Sequence, residues 1–110
     1  MSRIIGIGTD IVEIKRIQEA IQENARFLTR VFTSAEQEYV SAHGGKVGSF
    51  AGIFAAKEAA VKAAGGLITD YEVLHHQTGK PYILHKNMII ELSISHCEAY
   101  ATAFVIAMEK

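Results

Sequence analysis

An α+β domain built on an antiparallel sheet is the fold this sequence predicts, and three observations predict it. An alanine-rich stretch from about Val47 to Ala64 has the composition of a long central helix, since alanine is the strongest helix former and adds no competing polar group. The chain before it reads as mostly helical. The chain after it reads as four short segments rich in β-branched and aromatic residues, divided by turn chemistry, the pattern of strands packed against helices rather than alternating with them.

The elements follow in order. Arg3 to Thr9 is β-branched and glycine-rich, a strand in which Gly6 and Gly8 allow another backbone or a ligand to come close. Asp10-Ile11-Val12-Glu13 has the form of a capping box, and Ile14, Ile17 and Ile21 follow at helical spacing, which places a helix start just after Asp10. Arg26 to Phe32 is a short amphipathic link. Thr33-Ser34-Ala35-Glu36-Gln37 supplies capping chemistry for a second helix through Val40, broken at His43-Gly44-Gly45-Lys46. The central helix puts Phe50, Phe54 and Val61 on a core-facing stripe and stops at Gly65-Gly66, where glycine takes the left-handed cap. Tyr71 to His75, Pro81 to His85, Ile89 to Ser95 and Tyr100 to Met108 are the expected strands. Gln77-Thr78-Gly79-Lys80 and His96-Cys97-Glu98-Ala99 are the turns between them.

Length and composition narrow the function. A chain of 110 residues is read as a single domain, 1–110, large enough to bury roughly 60–70% of its unfolded surface without staples. Its hydrophobic content of 49% is high for a small soluble monomer, and an oligomer would use the excess. A net charge of −1 gives no global basic field, which argues against nucleic acid as a partner. The single Cys97 excludes an internal disulfide and a cysteine-rich metal site. No secretory signal is read in the opening residues, and no apolar run approaches the roughly 20 residues that span a bilayer. A cytoplasmic protein without a membrane partner is expected.

Candidate chemistry lies on the central helix and at the first strand's end. Glu58 and Lys62 are one turn apart, which taken alone describes a surface salt bridge worth a few tenths of a kcal/mol. Asp10 adds a second carboxylate. Two carboxylates brought together suit a magnesium ion, which keeps several waters and completes its octahedron with substrate phosphates, and Lys62 would then face those phosphates. Ser93-Ile94-Ser95-His96 offers two hydroxyls on one strand face and an imidazole, a donor cluster for phosphate or ribose, although a polar turn residue explains His96 equally well. His43, His75, His76 and His85 lack ligand spacing. Gly6 and Gly8 fit neither the dinucleotide nor the P-loop spacing.

Four stretches carry a resemblance: Gly6-Ile7-Gly8-Thr9-Asp10-Ile11-Val12-Glu13-Ile14-Lys15-Arg16-Ile17, Phe54-Ala55-Ala56-Lys57-Glu58-Ala59, Gly79-Lys80-Pro81 and Ser93-Ile94-Ser95-His96. Together, and in this order, they resemble the holo-[acyl-carrier-protein] synthase family of 4′-phosphopantetheinyl transferases. The resemblance implies the fold of that superfamily, a homotrimer with active sites between subunits, and transfer of 4′-phosphopantetheine from coenzyme A to a serine of apo acyl carrier protein in fatty acid biosynthesis. It implies Asp10 and Glu58 as magnesium ligands, Glu58 or a metal-bound water as acceptor of the serine proton, and Lys62 as the contact to the coenzyme A phosphates that assists departure of adenosine 3′,5′-bisphosphate. His96, with Ser93 and Ser95, is placed near the nucleotide. Arg16, Arg26 and Arg30 are placed against the acidic helix of the carrier, in a segment from Lys15 to Arg30 with four basic residues and two glutamates. The chain departs from the family's pattern in two places. Ile53 stands where an arginine that helps bind coenzyme A is usual, and the loop after Gly65-Gly66 is short. A homologue that binds carrier protein but transfers weakly or not at all is the alternative these departures raise.

Overall fold

The structure, a computed structural model, describes residues 3–110. Strand β1 (Ile4–Glu13) leads into helix α1 (Ile14–Glu23), followed by the short α2 (Phe27–Val31), α3 (Ser34–Ala42) and the long α4 (Val47–Ala64). After a 3-10 turn at Ile68–Asp70 come β2 (Val73–His75), β3 (Pro81–Ile83), β4 (Met88–His96) and β5 (Tyr100–Glu109). The five strands form one sheet in the order β1-β5-β4-β3-β2, and every neighbouring pair is antiparallel.

Alternation along the strands decides which side of the sheet α4 covers. In β5, Ala101, Ala103, Val105 and Ala107 are buried, while Tyr100 just before them and Phe104 among them are exposed. Small residues on that inner face let α4 lie close, and on β1 the fit is closer still. A Cβ on Gly8 would stand 2.0 Å from the Ala59 carbonyl oxygen, and one on Gly6 would stand 2.0 Å from that of Ala63. Only glycine permits this contact. Because the sheet lies on one side and α1, α2 and α3 on others, α4 is buried almost all round: Ala51, Ile53, Ala55, Ala56, Lys57, Ala59, Ala60 and Ala63 are buried, not a single stripe of Phe50, Phe54 and Val61, which are only partly so.

The largest difference from the sequence reading is at Asp10. The strand runs on through it to Glu13, α1 begins at Ile14, and Glu13 is its N-cap with no side-chain capping bond. The capping box expected at Asp10 and Glu13 does not form, because Ile11 and Val12 are β-branched and pair with Thr102 and Ala101 on β5. The Ile14 amide then bonds the Ala99 carbonyl at 2.9 Å, so backbone replaces the expected cap. The second box does form: the Glu36 amide donates to Thr33 Oγ1 and the Thr33 amide to Glu36 Oε1. Gly65 and Gly66 both have φ of +82°, and the Gly65 amide closes α4 on the Val61 carbonyl. The link at Arg26 to Phe32 contains a one-turn helix, and strands β2 and β3 are shorter than expected by two residues each.

Candidate active site

The inner face of β1 carries Gly6, Gly8 and then Asp10, so the two glycines that seat the strand on α4 also aim the aspartate at that helix. Lys62 meets it there. Its Nζ donates to Asp10 Oδ1 at 3.0 Å and to the Thr9 carbonyl at 3.0 Å. The Asp10 side chain is only 15% exposed, the Lys62 side chain 54%. Glu58 is half-buried one turn earlier on the same ridge, and among the described residues it makes no side-chain hydrogen bond or ion pair. The expected Glu58–Lys62 salt bridge is therefore replaced by an Asp10–Lys62 pair. Helical spacing gave Lys62 one neighbour, and the packed strand supplied a better one.

A second feature lies further towards the start of α4. A cleft of about 250 Å³ is bounded by Gly48, Ser49, Gly52 and Ile53 on α4, Gly79 and Pro81 of the turn into β3, Ile94 and His96 of β4, and the rings of Tyr39 and His75. Gly48 and Gly52 recur at one-turn spacing and bring α4 against β4: a Cβ on Gly52 would be 2.8 Å from Ile94 Cγ2. Thus two of the four stretches singled out in the sequence, Gly79-Lys80-Pro81 and Ser93-Ile94-Ser95-His96, meet the central helix here. Gly52 and Glu58 are six residues apart, roughly 9 Å along the helix axis, so cleft and carboxylate ridge share one helix. Ile53 is 2% exposed and belongs to the core as well as to the cleft wall.

Tyr39 and His75 stack with ring centroids 3.6 Å apart and planes 2° from parallel. His75 Nδ1 is buried and has no hydrogen-bond partner among the described residues, and burial, with the nearby His43, holds its imidazole below the ordinary pKa of 6.5. Sequence spacing set His75 aside as structural, and Tyr39 was not singled out. Ser93 and Ser95 are exposed on β4, opposite Phe104 and Thr102, on the sheet face away from α4. His96 reaches the cleft, and the two serines do not. Arg16, Arg26 and Arg30 are all exposed, on α1, at the N-cap of α2 and in its last turn.

Another residue of the central motif was missed. Lys57 is fully buried and pairs with the buried Glu36 at 2.7 Å. Its helical position between Ile53 and Ala60 was the available signal, since both of those neighbours face the core.

Comparison with known proteins gives this arrangement its context. The family description "4'-phosphopantetheinyl transferase superfamily" matches residues 6–108. The chain belongs to that superfamily. It is 41% identical to a holo-[acyl-carrier-protein] synthase of Fusobacterium nucleatum, with 96% of this chain and 99% of that protein covered, and 46% identical to one of Alkaliphilus metalliredigens, with 94% and 98% covered. The first alignment extends over 122 positions, more than the 110 residues here, so that relative carries residues without a counterpart in this chain. Among solved structures of the superfamily, the Bacillus anthracis holo-(acyl-carrier-protein) synthase in complex with CoA (3',5'-ADP) superposes with a TM-score of 0.86 at 34% identity, covering 97% of this chain and 98% of that one. The Helicobacter pylori holo-[acyl-carrier-protein] synthase in complex with coenzyme A gives 0.81 at 29%, covering 92% and 98%.

Proposed function

We infer that this chain, read as one domain over 1–110, transfers the 4′-phosphopantetheine arm of coenzyme A to a serine hydroxyl of an apo acyl carrier protein. The observation that carries the reading is Asp10 held across α4 by Lys62, one turn from a half-buried Glu58 that has no partner among the described residues. The serine oxygen forms a bond to the phosphorus that bears pantetheine. The bond from that phosphorus to the bridging pyrophosphate oxygen breaks, and the oxygen leaves with adenosine 3′,5′-bisphosphate. In this reading Glu58, or a metal-bound water, would accept the serine proton. Lys62, on the same ridge, offsets the charge that grows on the departing phosphate.

The residues also fit magnesium. Among the described residues no three His, Cys, Asp or Glu side chains cluster as a self-sufficient metal cage. Magnesium, however, is commonly bound through one or two carboxylates together with substrate phosphates, which is the donor set that Asp10 and Glu58 offer. When bound there it would polarise the phosphoryl oxygens. His96 faces the cleft for the nucleotide, and Arg16, Arg26 and Arg30 present exposed cations suited to an acidic carrier.

Assembly belongs to the same reading. The sheet face away from α4 exposes Ile5, Ile7, Ile11, Ile89 and Phe104, an apolar surface that supports a homotrimer. Ser93 and Ser95 lie on that face and would reach a nucleotide only at a subunit boundary. The exposed free thiol of Cys97 suits a reducing cytoplasm, and among the described residues no helix is long and apolar enough to cross a membrane.

Incubating the protein with coenzyme A, magnesium and apo acyl carrier protein, then weighing the carrier, tests the proposal. A mass gain of one phosphopantetheine is expected. An unaltered carrier at high enzyme concentration overturns it, and retained carrier binding in that case would identify a non-catalytic homologue.

A further inference from the structure

Among the described residues, Lys57 and Glu36 are the charged ones that the fold buries completely, and the transfer chemistry makes no use of them. Glu36 Oε1 accepts Lys57 Nζ at 2.7 Å and the Thr33 amide at 2.9 Å, while Oε2 accepts the Val73 amide at 2.8 Å. Lys57 Nζ also donates to the Val31 carbonyl at 2.6 Å and lies 5.8 Å from the centroid of the Phe32 ring. One pair thus ties the last residue of α2, the N-cap of α3, the middle of α4 and the first residue of β2.

Burying such a pair is a poor route to stability, because desolvation offsets the attraction and apolar replacements of similar volume are often no less stable. What directed hydrogen bonds add is relative placement. The elements placed here are those that wall the cleft. Tyr39 follows Glu36 by three residues on α3, His75 follows Val73 by two on β2, and their stacked rings face Gly52 and Ile53 of α4. The Asp10–Lys62 ridge faces β1 instead, and its seat depends on Gly6 and Gly8.

We propose that the Lys57–Glu36 pair is a positioning device that holds the Tyr39–His75 wall against α4 and thereby sets the affinity for coenzyme A, without touching substrate. This rests on the transferase reading above. Lys57→Met alone strands a buried carboxylate and threatens the fold. The test is therefore the double variant Lys57→Met with Glu36→Gln, in which the amide keeps an oxygen for one of the backbone donors. Calorimetric Kd and KM for coenzyme A are expected to rise by about tenfold or more, within the loss that about 1 Å of misplacement brings. The kcat is expected to stay near that of the parent, and Tm to drop while the variant remains folded, because the amide NH2 then faces the other backbone donor. A folded variant that binds coenzyme A like the parent overturns the proposal, as does a loss confined to kcat. A variant that does not fold also overturns it, since the pair would then be holding the fold. A parent that itself binds no coenzyme A defeats the transferase reading and this inference together; a parent that binds and transfers, matched by its variant, defeats this inference alone.

Discussion

Asp10 meets Lys62 at 3.0 Å and caps no helix, so its replacement separates chemistry from stability. Asp10→Asn loses a pair whose lysine is more than half exposed, worth about 0–1 kcal/mol, and a thermal melt should show a correspondingly small change in Tm. Transfer, measured by carrier mass, should fall by on the order of 100-fold or more, as when a charge-stabilising group is removed. Intact activity would show that Asp10 has no part in the site. Ile53 poses the opposite trade. Its side chain is buried in the core and on the cleft wall, so Ile53→Arg should cost about 1.5–3 kcal/mol of burial. A guanidinium emerging into the cleft would add a charge-assisted phosphate contact worth about 1.5–3 kcal/mol, so the KM for coenzyme A should fall by about tenfold while Tm drops. Unchanged or weaker coenzyme A binding would mean that this wall does not face the phosphates. At this scale the sequence singled out Asp10, Glu58 and Lys62 but not the Asp10–Lys62 pairing, because Lys62's partner comes from a strand 52 residues away. Lys57 and Glu36 went unread for the same reason. A lysine inside an alanine helix and a glutamate in a capping box each have an ordinary local explanation, and only tertiary packing joins them.

Helix α4 and the strands after it were legible because their signals are local: alanine content, a glycine stop, and alternation of apolar and polar residues. The β1–α1 boundary was not. Asp10 followed three residues later by Glu13 is a valid start signal, and what defeats it is the ladder to β5, a contact with the far end of the sequence. The short 3-10 turn and the one-turn α2 were likewise invisible, being too brief to show a period. The seam between β1 and α4 is where an element-level prediction belongs. Gly8→Ala would bring a methyl within 2.0 Å of the Ala59 carbonyl, a backbone atom that cannot swing aside. The strand must lift, costing about 1–3 kcal/mol or more in denaturant unfolding. Since Asp10 lies two residues on, transfer should fall by on the order of 100-fold from misplacement alone. Normal activity in a folded Gly8→Ala variant would detach the seam from the site.

The outer face of the sheet governs the whole molecule. Phe104, 45% exposed, sits at its centre, level with Thr9 on β1 and Ser93 on β4. Sedimentation should find the parent as a trimer, and Phe104→Glu should release folded monomers that no longer transfer, because a buried carboxylate without a partner opposes assembly. A parent that sediments as a monomer removes the shared-site arrangement. The hydrophobic excess pointed to this face, but strand order did not follow from it, since pairing between distant segments leaves no local mark. That order has a consequence for how the protein is made. Ile7 is the register partner of Ile106, so β1 leaves the ribosome well before the strand it pairs with. At about 5–20 residues per second, β1 spends seconds with neither its ladder nor, until α4 emerges, its helix. Contacts of such long range form late. Asp10 therefore acquires its place only when β5 closes the sheet, and a chain halted before Tyr100 would carry every residue of the carboxylate ridge and no ridge.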